Sequence, residues 1–144
     1  ISSTFWTERI GPTAALKTLE VMEKEKSWEK ITQSGIGISK NWKLLAKKYE
    51  ININTWGLPA LSGYTFDLSN NLEYKTLVTQ EMLKKGYLAT NSVYVCTEHT
   101  QEIINGYFDA LEPIFSTIQE CENGRDIMKL LDGPVCHSGF SRLN

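Results

Sequence analysis

Trp28, Ile31, Gly35, Ile38, Trp42, Leu45 and Tyr49 recur at intervals that alternate between three and four residues. An α-helix places such positions on one face, so this stripe predicts a helix of about six turns that needs an apolar surface to cover it. Gly35 lies in the middle of the stripe. A glycine inside a helix costs about 1 kcal/mol relative to alanine, and Gly37 adds a second such cost. On the inner face, Gly35 would let another element approach closely. The alternative is a break near Ser34–Gly35.

The neighbouring segments extend the pattern. Gly11–Pro12 reads as a helix entry with Pro at the first helical position, followed by the small or apolar Ala14, Ala15, Leu16, Leu19 and Met22. Glu20, Glu23, Lys24, Glu25 and Lys26 expose its far end, and Ser27 either caps a second helix or sits in a continuing one. After Glu50 the period shortens. Ile51, Ile53 and Trp56 to Leu61 read as short extended segments, with Pro59 limiting one of them to an edge or bulge. Ser62–Gly63 is a turn signal before the alternating Tyr64 to Leu68, so the two runs can pair as a hairpin. Asn70 and Glu73 have capping-box spacing, and their helix ends at Lys84–Lys85–Gly86. Ser92 to Thr97 is the clearest strand, with Val93 and Val95 on one side and Tyr94 and Cys96 on the other. Thr100 caps a last helix through Ile104, Tyr107, Phe108, Leu111, Ile114, Phe115 and Ile118, which Pro113 should kink or split. The order predicts an α+β fold: a small, mostly antiparallel sheet with helices packed on one face, preceded by a long helical segment. Residues 123–144 hold too little apolar surface for a core, so this tail must dock or stay mobile.

At 144 residues and a formal net charge of -2, the chain offers no electrostatic case for nucleic acid or an anionic membrane. Lys43, Lys47 and Lys48 read as a solvated helix face rather than a phosphate patch. No apolar run approaches the roughly 20 residues that span a bilayer, and no signal peptide is legible. Three cysteines, Cys96, Cys121 and Cys136, lack a CxxC spacing, which fits a reducing cytoplasm better than a disulfide framework. The opening Ile1 suggests a chain cut from a longer one.

No complete catalytic constellation is legible. His99 lies between a strand and a helix with no second metal ligand at helical spacing, so a turn role is expected. Cys136 and His137 are adjacent, and their side chains should diverge rather than form a nucleophile–base pair. GxSxG, P-loop and GxGxxG motifs are absent from the sequence. Ser2, Ser3 and Thr4 are consecutive hydroxyls just before a helix N-terminus. Such a cluster serves either as phosphate ligands or as a turn or cap. Arg9 can pair with a substrate anion through its planar fork, or with Glu8 or another surface acid.

The segment "TFWTERIGPTAALKTLEVME" resembles the "T-F/L-x-G-N-P-x-x-x-A-A-x-L-A-T-L-E" segment of class III, fold-type-I, pyridoxal-phosphate enzymes. It is most similar to the glutamate-1-semialdehyde aminotransferase/aminomutase branch. Thr4, Phe5, Ala15, Leu16, Thr18, Leu19 and Glu20 fall in register. "SVYVCTEHT" leading through His99 into the last helix is similar to that family's C-terminal small domain, and the resemblance covers most of residues 1–122. It implies residues 1–26 as the end of a cofactor domain and a connecting helix, 27–122 as the small domain, and 123–144 as a tail. It implies pyridoxal 5'-phosphate as cofactor, with the Schiff-base lysine on a large domain outside these residues, and a homodimer acting on a small amino donor and acceptor. It assigns Thr4, with Ser3 as a weaker neighbour, to the cofactor phosphate across the dimer interface. Thr7-Glu8-Arg9 replaces the family's Gly-Asn-Pro, which leaves the substrate open. The rival reading from the residues alone is a non-catalytic α+β binding or interaction domain.

Overall fold

The stripe from Trp28 to Tyr49 forms one unbroken helix, and its glycine is the point where the sheet meets it. The computed structural model describes residues 8–139. Among them are α1 (Ile10–Glu25), α2 (Ser27–Lys48), β1 (Ile53–Leu58), β2 (Leu61–Phe66), α3 (Asn71–Lys84), β3 (Ser92–Tyr94) and α4 (Gln101–Glu122), followed by one 3₁₀ turn, Ile127–Lys129. The sheet is antiparallel in the order β1-β2-β3. The fold is therefore α+β, as expected.

The helix break falls at Lys26, not at Ser34–Gly35. Lys26 adopts a left-handed φ of 50° between α1 and α2. Ser27 begins α2, and Lys26 rather than Ser27 holds the cap position. α1 starts at Ile10, two residues before Pro12. Pro is still tolerated there, because the first four amides of a helix lack intrahelical partners.

At Gly35 the backbone of Pro59 comes so close that an added Cβ would lie 1.8 Å from the Pro59 carbonyl oxygen. No such neighbour stands within 4 Å of a Cβ added at Gly37. Pro59 belongs to the β1–β2 connection. Leu58 pairs with Leu61, so the turn is Pro59–Ala60 rather than the expected Ser62–Gly63. Those two residues lie inside β2, where Gly63 faces Trp56. A Cβ at Gly63 would meet the Trp56 ring at 2.4 Å, so this glycine serves cross-strand packing.

The docked hairpin drives Tyr64 into the centre of the core. Its ring lies 5.0 Å from Trp42, 5.5 Å from Phe66 and 6.1 Å from Phe115. These separations suit tilted or edge-on aromatic contacts. Trp42 donates its indole N–H to the Tyr107 hydroxyl at 3.0 Å, tying α2 to α4. Leu77, Val78 and Met82 of α3 and Leu111, Ile114 and Ile118 of α4 complete the core.

The ends of α3 and α4 differ in how far they follow expectation. Gly86, at φ +84°, follows the C-terminus of α3. Asn70 stands at the N-cap of α3 but makes no capping bond with its side chain. Thr100 does cap α4, accepting from the Ile103 amide at 3.4 Å. Pro113 does not split that helix. β3 is shorter than predicted, yet Val95 is buried and Tyr94 exposed, as the alternation requires.

The tail docks. Leu72, Thr76, Gln80 and Lys84 form a line along α3, four residues apart. The Leu72 carbonyl accepts from the Cys136 thiol, and the Thr76 hydroxyl accepts from the Cys136 amide at 3.0 Å. Gln80 donates to the Leu130 carbonyl and accepts from the Asp132 amide, at 2.8 and 2.7 Å. Lys84 pairs with Asp132 at 2.8 Å. Residues 130–136 thus run antiparallel to α3, with Ile127 buried ahead of them.

Two substitutions separate the roles of the two glycines. Gly35→Ala should destabilise by about 1–3 kcal/mol, because the hairpin must move away from α2. Gly37→Ala should stabilise by about 0.5–1 kcal/mol, because it removes only a helix penalty. Chemical denaturation of both variants measures this. Equal effects would contradict the close contact.

Candidate functional site

Helices cover one face of the sheet only. The core face carries Ser62, Tyr64 and Phe66 of β2, all buried. The register places Leu58, Leu61 and Tyr94 side by side on the opposite face. Leu58 is 73% exposed and Tyr94 77%. Trp56, paired with Gly63, adds a half-exposed indole to the same face.

A second uncovered surface belongs to α1. None of its residues is buried, and Leu16 and Leu19 are 70% and 61% exposed. Ile10, Val21 and Met22 are exposed as well. The inner side of α1 forms a cleft with the segment after β3, lined by Ala14, Thr18, Val21, Ser27, Val95 and Cys96. Isolated apolar residues on a surface need no explanation, but contiguous ones mark a surface that meets something. The sequence alternation across Trp56, Leu58 and Leu61 was the available sign of the sheet face. The turn expected at Ser62–Gly63 concealed it, because moving the turn changes which residues share a side.

The predicted site residues divide into two groups. Ser3 and Thr4 lie outside the described residues. Glu8 and Arg9 are exposed, and Arg9 stands at the N-cap of α1 without a side-chain capping bond. The first turn of α1 carries no acidic residue. His99 has a turn role, since its Nδ1 accepts from the Cys96 amide at 3.2 Å. Among the described residues no group of three or more His, Cys, Asp or Glu is placed to hold a metal ion. No described helix is long and apolar enough to cross a membrane. In the lysine cluster, Lys48 pairs with Glu112, which also accepts from the Tyr49 hydroxyl at 3.0 Å. Hydrogen bonds from Lys48 and then Tyr49 hold the Glu112 carboxyl below its ordinary range.

The core tyrosines are held in their neutral form. Burial pushes Tyr107 up to about 12. Burial, with the Glu122 carboxylate accepting from its hydroxyl, pushes Tyr74 up to about 12. Burial also raises Tyr64 well above the ordinary phenol range. Neutral phenols in these positions support packing rather than acid–base chemistry near pH 7.

No protein-family model and no curated protein sequence matches the chain. Among solved structures, it superposes with a TM-score of 0.73 on the FumI protein of Sphingopyxis sp. MTA144, solved in its PLP internal aldimine form. The two share a fold. Their sequence identity is 15%, and the match covers 91% of this chain but 32% of that one. The chain therefore spans about a third of the length of FumI.

Stability should respond to alkali through the tyrosines. A folded-state value above the unfolded one favours the protonated phenol in the fold. This contribution is complete below pH 10 and is lost as pH rises from 10 toward about 12. Denaturation midpoints measured across this range should fall, and the fall should be shallower in Tyr107→Phe. A flat profile in the parent chain would contradict the assignment.

Proposed function

We propose that this chain is the C-terminal domain of a PLP-dependent aminotransferase or aminomutase, inactive alone, that shapes the active site and dimer interface of the full-length enzyme. The observation that carries this reading is the likeness of nearly the whole chain to one third of a PLP-bound protein. Two uncovered apolar faces support it. A larger cofactor-binding part, packed against α1 and the outer face of the sheet, would bury Leu16, Leu19, Leu58 and Tyr94. In this reading residues 1–26 end the cofactor domain and connect it to the small domain, 27–122. Of the tail, 123–144, the described residues 130–136 brace α3. The register of Thr4, Ala15, Leu16, Thr18, Leu19 and Glu20 favours the glutamate-1-semialdehyde branch, acting as a cytoplasmic homodimer on small amino donors and acceptors.

The donors present fit a phosphate ester. Ser3 and Thr4 supply hydroxyls, and the start of α1 supplies uncapped amides with no acid in the first turn. Thr4, assisted by Ser3, would hold the phosphate of the cofactor bound by the partner subunit. Bound in the enzyme, pyridoxal phosphate supplies an electron sink for proton loss from the amino-bearing carbon. This chain's own residues orient and enclose. Thr4 would be held by the segment that leads into α1, and the sheet would exclude water from the interface. No lysine of this chain is assigned the Schiff-base role.

The full-length protein should absorb in the visible and lose that band on borohydride treatment. A colourless protein insensitive to borohydride would favour a non-catalytic binding domain. Thr4→Ala should weaken cofactor affinity at least about tenfold, with Ser3→Ala less affected. Unchanged affinity in Thr4→Ala would remove that residue from the phosphate site.

A further inference from the structure

A groove lies between α2 and the free edge of the sheet. β1 is an edge strand. Thr55 lies opposite Tyr64. Tyr64 spends its backbone amide on the Asn91 carbonyl at 2.9 Å, and its carbonyl on the Asn91 side chain at 2.7 Å. In an antiparallel ladder this makes Thr55–Tyr64 a non-hydrogen-bonded pair, so Thr55 turns its amide and carbonyl to the open edge. That edge borders a groove of about 440 Å³.

Across the groove stand Ser39, Lys40 and Lys43 of α2, and Thr55, Trp56 and Ser62 complete its polar and aromatic lining. Lys40 and Lys43 are three apart on one helix and so share a face. No acidic residue lines the groove. Both lysines line the groove, and a dianion bound there would meet two positive charges. Ser62 is only 3% exposed, and its hydroxyl has no hydrogen-bond partner. That oxygen is itself buried and offers a ligand in the groove no contact. Ile36, Leu58 and Pro59 form the apolar remainder of the lining.

We propose that this groove binds the phosphate of a small organic phosphate ester. Lys40 and Lys43 supply the charge, and the Thr55 amide with the Ser39 and Thr55 hydroxyls supplies directional donors. Ile36 and Pro59 receive the organic part. The proposal does not rest on the reading of the chain as part of a PLP enzyme.

The test is lysine acylation of the full-length protein, read residue by residue by mass spectrometry, with phenyl phosphate or inorganic phosphate against chloride at matched ionic strength. Either phosphate should slow acylation of Lys40 and Lys43 several-fold and leave the exposed Lys47 unchanged. Equal rates at all three lysines with and without phosphate would overturn the proposal. Calorimetry of phenyl phosphate binding gives a second measure. The Lys40→Ala/Lys43→Ala double variant should bind at least about tenfold more weakly than Lys47→Ala. Undiminished binding in the folded double variant would place the anion elsewhere and equally overturn the site.

Discussion

The close approach of Pro59 to Gly35 sets the rest of the architecture. A helix can accept a strand turn against its backbone only where a side chain is missing. With the hairpin seated there, Tyr64 meets Trp42, and α3 and α4 close around the aromatic centre. The same contact fixes which side of the sheet faces the helices. It leaves Trp56, Leu58, Leu61 and Tyr94 on the other side. It also forms the wall of the groove beside Lys40 and Lys43. A single backbone contact thus determines both the core and the surfaces that remain uncovered.

Those surfaces carry the functional reading more directly than any side-chain constellation does. Among the described residues no group of three or more His, Cys, Asp or Glu is placed to hold a metal ion. Their tyrosines are held neutral by burial. What they offer is a rigid three-stranded sheet with one bare face, and a long helix with none of its residues buried. A cofactor domain covering both would bring the segment before α1 to its site while the core behind it stays fixed. The tail's hydrogen bonds to Thr76 and Gln80 fasten residues 130–136 along α3.

The parts of the fold legible in the sequence are those with a strong period. The α2 and α4 stripes identify both helices, and of the two readings of Gly35, a close contact or a helix break, the structure shows the contact. The hairpin turn was misread for a physical reason. Pro59–Ala60 lacks the glycine or asparagine of common two-residue turns, whereas Ser62–Gly63 carries it for packing against Trp56. Asn70 was placed correctly as a cap position, but its side chain makes no capping bond. The docking of the tail rests on single hydrogen bonds to one line of α3, a pattern with no periodicity to detect. The likeness to FumI shows the fold, and the family resemblance in the first twenty residues rests on their sequence. Thr4 and Ser3 themselves lie outside the described residues, so their role rests on that resemblance.

The central claim is that α1 and the outer face of the sheet are covered by the remainder of a larger enzyme. Hydroxyl-radical footprinting of the full-length protein, compared with this 144-residue chain, tests it at single residues. The account predicts strong protection of Leu16, Leu19, Leu58 and Tyr94 in the full-length protein, with Leu44 and Leu83 equally reactive in both. Equal oxidation of all six side chains in the two samples would contradict it.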